Sequence, residues 1–138
     1  MFCFLLMAMP SAKTTIFSNG PPKIEFISVR TITPVTVENA RFQLVLYIFN
    51  SGQEKGVINK VYFNSELVKI NGIKDGDLLP DTQSIASSIL DGGTILPPGE
   101  TVQIFIWTGR DLNLAGDNVV IHLQSLNDLQ LSKSVTIK

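Results

Sequence analysis

Apolar and polar positions alternate with a period of two along most of the chain, which is the signature of strands. The clearest run is Arg41 to Asn50, RFQLVLYIFN. Phe42, Leu44, Leu46 and Ile48 share one face, and Gln43, Val45, Tyr47 and Phe49 share the other. Both faces are mostly apolar, so the run predicts a central strand with cover on its second side. Thr101 to Thr108, TVQIFIWT, repeats the pattern, with Val102, Ile104 and Ile106 against Gln103, Phe105 and Trp107. Asn118 to Gln124 places Val119, Ile121 and Leu123 inward. Lys23 to Arg30 switches face midway, which predicts a bulge. Pro34 interrupts the stretch that follows and marks an edge or bend.

Turn signals separate these runs. Asn50-Ser51-Gly52 to Gly56 precedes Val57 to Asn64, VINKVYFN, and the pair reads as a hairpin. Residues 65 to 100 carry Asn71-Gly72, Asp75-Gly76, Pro80-Asp81, Asp91-Gly92-Gly93 and Pro97-Pro98-Gly99. Part of so long a segment should be ordered. Glu66 to Ile70 reads as a short strand, and Gln83 to Leu90 equally as a short helix or an edge strand. The final run, Leu129 to Ile137, breaks its alternation at Ser132-Lys133-Ser134, which predicts a register shift. The sum is about seven strands and no long helix, an all-β, immunoglobulin-like antiparallel β-sandwich in the architectural sense.

The N-terminus differs from this body. Met1 to Met9, MFCFLLMAM, is apolar and uncharged. As a helix it would extend about 13 Å, under half the hydrocarbon core of a bilayer. It reads as the end of a signal or membrane anchor, as a donated strand, or as a loose apolar end. Ser18-Asn19-Gly20-Pro21-Pro22 then punctuates the chain. The organisation is an apolar segment and linker over residues 1–22 and a sandwich over residues 23–138.

Composition narrows the chemistry. Apolar residues are 44% and charged residues 17% of 138, which excludes a disordered chain. A net charge of -1 offers no basic stripe for nucleic acid. One Cys and one His leave no disulfide framework, no zinc site and no Cys-His pair. His122 lies mid-strand and reads as a solvent-facing or interface residue. Asp75, Asp77 and Asp81 have oxygen chemistry suited to calcium but lack the EF-hand spacing, so they read as polar turns. No catalytic, cofactor or metal residue is assigned, and the expectation is a protein that is not an enzyme.

The second face of the central strands is the candidate interface: Val45, Tyr47, Phe49, Phe105 and Trp107. An apolar outer face either meets a partner or is covered by the chain's own 65–100 segment. Carbohydrate or ligand binding through Tyr47, Trp107 and a loop calcium is the alternative function.

A resemblance rests on particular residues. Val45-Leu46-Tyr47-Ile48-Phe49-Asn50-Ser51-Gly52, followed by Val57 to Asn64, resembles a strand pair of archaeal extracytoplasmic filament and filament-associated sandwiches. These are the archaellum stator proteins F and G, archaellins and type IV pilin-like proteins. Leu96-Pro97-Pro98-Gly99-Glu100-Thr101-Val102 is similar to that family's proline-glycine turn, and Gly116 to Ile121 with the closing hairpin to its last strands. The resemblance implies a structural, protein-binding component or envelope anchor of an archaeal surface filament. Its partners would be its own copies, a filament subunit or an envelope protein. Its location would be the cell surface, with membrane anchoring through the N-terminus.

Overall fold

The computed structural model describes residues 23–126 and 129–138. The expectations placed on residues 1–22 and on Asn127 and Asp128 lie outside the described residues. Nine strands form the fold: β1 (Ile24–Ile32), β2 (Ala40–Asn50), β3 (Gly56–Phe63), β4 (Glu66–Leu67), β5 (Ile85–Ser87), β6 (Thr94–Leu96), β7 (Thr101–Gly109), β8 (Asn118–Ser125) and β9 (Gln130–Thr136). The two additions to the expected set are short pieces inside residues 65–100, and Gln83 to Leu90 resolves as the edge strand β5. No helix among the described residues is long and apolar enough to cross a membrane.

The strands build two antiparallel sheets. The first has the order β1-β2-β7-β5, and the second has the order β4-β3-β8-β9 with β6 also on β3. Their inner faces are the positions that the alternation assigns inward. Leu44, Leu46 and Ile48 of β2 and Ile104 and Ile106 of β7 meet Ile58, Val61 and Phe63 of β3 and Val119, Ile121 and Leu123 of β8. Burying each such side chain contributes about 1.5–3 kcal/mol before entropy is counted. This layer makes the chain a sandwich.

Two connections differ from the sequence expectation. Strands β2 and β3 are not a hairpin. Strand β2 pairs with β1 and β7, whereas β3 pairs with β4, β6 and β8. The turn after Asn50 therefore crosses between sheets. The Asn50 side chain, fully buried, fastens the crossing: its Nδ2 donates to the carbonyls of Glu54 at 2.8 Å and Leu96 at 2.9 Å. Its Oδ1 accepts from the backbone N–H of Gly52 at 2.9 Å and of Lys23 at 3.3 Å. Second, β9 pairs with β8 in unbroken register from Asn118↔Thr136 to Gln124↔Gln130. The apolar alternation of β9 breaks because Lys133 occupies a core-side position opposite Ile121. The expected bulge in the first strand is present, between Phe26 and Ser28.

Three of the four sheet edges carry a device against further pairing, and the fourth is made of the short strands β4 and β6. Strand β1 has its bulge. Strand β9 has the core-side Lys133. The free side of β5 is covered by residues 70–73, through Ser87 N–H to the Ile70 carbonyl at 2.9 Å and Ile73 N–H to the Ser87 carbonyl at 3.0 Å.

Candidate interface on the outer face of the first sheet

Register places the five candidate residues on one face. Across β2 and β7 the pairs are Gln43↔Trp107, Val45↔Phe105, Tyr47↔Gln103 and Phe49↔Thr101. Arg30 and Ser28 of β1 extend the face, opposite Val45 and Tyr47.

The chain covers one end of this face itself. Residues 33–39 and 70–79 lie over it and bond to each other: Glu38 N–H to the Asp77 carbonyl at 2.9 Å, Leu79 N–H to the Glu38 carbonyl at 3.0 Å and Gly76 N–H to the Thr36 carbonyl at 2.9 Å. Thr36 pins the cover to the sheet, its backbone N–H donating to Gln43 Oε1 at 2.8 Å with its hydroxyl 3.1 Å from the same oxygen. Beneath lies a second small core of Val37, Leu79, Ala86 and Trp107, with Val35, Ile70, Ile73 and Phe105 packed around it. Trp107 is 1% exposed and Val45 2% exposed, so neither has surface to offer. The 65–100 segment accounts for part of the cover. The 33–39 part carries little signal in the sequence beyond Val35 and Val37 alternating with Thr36 and Glu38.

The other end of the face is open. Tyr47 and Phe49 are half-buried, and the Arg30 guanidinium lies 5.3 Å from the centre of the Tyr47 ring. Phe105 is half-buried and stacks on Trp107 at 5.7 Å between ring centres. Where cover meets open face, a groove of about 600 Å³ runs along Phe105 and Trp107, bounded by residues 72–75 and by Ser88, Leu90, Thr94 and Gln103.

The remaining candidates take local roles. Asp75 Oδ1 accepts from the Thr36 hydroxyl at 2.7 Å, Asp77 Oδ2 from Lys74 N–H at 3.0 Å and Asp81 Oδ1 from Gln83 N–H at 2.9 Å. Asp77 and Asp81 thus cap turns while Asp75 ties its turn to Thr36, and among the described residues no three His, Cys, Asp or Glu side chains gather as a metal site. His122 sits on the outer face of the second sheet, edge-on to Tyr62 at 5.5 Å. Its Nδ1 is 2.7 Å from the Ser132 hydroxyl, a contact that the β8–β9 register creates. Ser132 lies on an open sheet face, and a serine nucleophile needs oxyanion donors around a bound carbonyl as well as a base.

No protein-family model and no curated protein matches the chain. Solved structures do. The archaellum periplasmic stator protein FlaG from Sulfolobus acidocaldarius superposes with a TM-score of 0.52 at 16% identity, covering 83% of this chain and 100% of that one. A structure of the FlaF and FlaG stator complex from the same organism matches with a TM-score of 0.49 at 16% identity, over 81% of this chain and 87% of that one. At this identity the likeness to FlaG is a likeness of fold.

Proposed function

We propose that this chain is a noncatalytic structural domain of an archaeal surface filament or of its envelope anchor, working outside the cytoplasm by binding protein. The observation that supports this most is that the sandwich matches FlaG over that domain's full length, not merely over a common strand motif. The strand and turn residues that resemble the same family point the same way. The open end of the first sheet is the docking surface in this reading. Tyr47 and Phe49 supply aromatic area, and Arg30 over Tyr47 adds a cation that can pair with a partner's carboxylate. Docking proceeds face to face, because the bulged, lysine-guarded and covered edges disfavour strand addition.

A photo-crosslinking amino acid at Tyr47, introduced in the archaeal host, tests this. The expected result is one crosslinked product, identified by mass as a filament or envelope protein and lost in a Phe49→Ser background. Deletion of the gene is expected to impair filament assembly or rotation. Intact filaments and motility after deletion, or a protein confined to the cytoplasm, would overturn the reading.

A further inference from the structure

We propose that the groove along Phe105 and Trp107 is a binding site for a neutral oligosaccharide. Its size falls in the range of small-ligand sites, at about 600 Å³. Its floor is aromatic, with Phe105 half-buried and stacked on the buried Trp107. Aromatic surface suits the C–H face of a sugar ring, which is apolar, while the ring's hydroxyls need polar partners around the edge.

The rim supplies those partners in both senses. Ser88 Oγ accepts from Phe105 N–H at 2.9 Å, and Thr94 Oγ1 accepts from Leu90 N–H at 3.1 Å. Each hydroxyl is fixed by that bond and keeps its own hydrogen to donate. Gln103, exposed, offers an amide that donates and accepts. Lys74 and Asp75 stand in the same lining and cancel in formal charge. An anion would meet the carboxylate and a cation the ammonium. Alternating donors and acceptors with no net charge around an aromatic floor match a polyhydroxylated neutral ligand. The site lies beside the proposed docking surface and does not depend on the filament reading.

Trp107 is the chain's one tryptophan, so its fluorescence reports on this groove. The full chain is titrated with maltotriose, cellotriose, mannotriose and chitotriose, and with trigalacturonate as an anionic comparison. The expected result is a saturable change in emission with at least one neutral trisaccharide below about 20 mM, and weaker binding of the anion. Phe105→Ala is expected to weaken that binding at least about tenfold, and Gln103→Ala about threefold to tenfold. Gln103 is exposed, so its variant folds even if Phe105→Ala does not. Val120→Ser, on the opposite sheet, is expected to leave binding unchanged. The proposal is overturned by no saturable response to any neutral trisaccharide, by preference for trigalacturonate, or by native affinity in Gln103→Ala.

Discussion

Replacing Asn50 tests how the two sheets are held together at the β2–β3 crossing. Asn50→Ala removes four hydrogen bonds at once. The bond to the Leu96 carbonyl is buried, so its acceptor loses a partner where water does not substitute. A lost bond with a stranded buried partner costs about 1–3 kcal/mol, and the part-exposed bonds less because water replaces them. Taking about 2 kcal/mol for Leu96 and about 1 kcal/mol for the other three together, the expected loss is about 3 kcal/mol. That is a large share of the 5–15 kcal/mol that about such a domain has in total. With a urea m-value of about 2 kcal/mol/M, the midpoint should fall by about 1.5 M. Asn50→Asp sharpens the test. It keeps the shape but turns carboxylate oxygens toward two carbonyls. The folded state then disfavours the charged form, so the introduced carboxyl titrates higher folded than unfolded. Its penalty is full at neutral pH and shrinks as pH falls through the raised folded value, where a protonated oxygen donates again. Urea midpoints for both variants at neutral and acid pH provide the measurement. If Asn50→Ala lies within about 0.5 kcal/mol of the native chain, the fastening role is refuted.

Other substitutions probe the remaining layers. A side chain at Gly109 would run into the Thr82 carbonyl, so Gly109→Ala should cost about 2 kcal/mol or more by thermal or urea unfolding. Leu46→Ala, at a fully buried β2 position, should cost about 2–5 kcal/mol, and a midpoint like the native one would place Leu46 outside the core. Lys133→Ile should remove the guard on β9 and raise the oligomeric or aggregated fraction in sedimentation velocity, whereas a chain that remains monomeric refutes edge protection by that lysine. Thr36→Val removes the hydroxyl with its contacts to Gln43 and Asp75 and keeps only the backbone N–H donation to Gln43, so the cover should loosen. Faster amide exchange in residues 33–39 and a red-shifted Trp107 emission would show it.

The inner faces were legible in the sequence because period-two alternation is a local property. Leu44-Leu46-Ile48, Ile104-Ile106 and Val119-Ile121-Leu123 point inward where the pattern puts them. Pairing was less legible, because it depends on partners distant in the chain. The Asn50 turn looks like a hairpin locally, yet the buried Asn50 side chain ties it to Leu96, 46 positions away. The register of β9 is obscured in the sequence for a related reason. Lys133 at a core-side position looks like a slipped register when the strand is taken to be interior, and like an edge guard once β9 is known to lie at the border of its sheet. At the candidate interface, the sequence identified a shared face but not its division. Val35 and Val37 were too few to announce a second small core over Trp107.

That second core changes what the low charge means. A sandwich of this size with 17% charged residues has more apolar surface than two inner faces need. Part of the surplus is consumed internally, because Val37, Leu79, Ala86 and Trp107 bury one another outside the main core. Of what remains exposed, Leu67, Leu78 and Leu90 lie in or beside the 65–100 segment and the rest lies on or near the sheets. Ile27 is 54% exposed at the β1 bulge, and Tyr47 and Phe49 lie on the neighbouring open face. On the second sheet Ile95 pairs across from Val57, and Leu126 N–H bonds to the Val57 carbonyl, so three apolar residues form a row over adjacent chain segments. Ile95 and Leu126 are 53% and 59% exposed. Beyond that row the outer face carries Lys60, Tyr62, His122, Gln124, Ser132 and Ser134, together with the exposed Val120. With three edges guarded, much of the exposed apolar area of the sheets is presented on faces. A partner that docked by extending a sheet at β1, β9 or β5 would have to displace a bulge, a lysine or a covering segment. A partner that docked on a face meets area already exposed, and this favours a face as the binding surface whichever macromolecule occupies it.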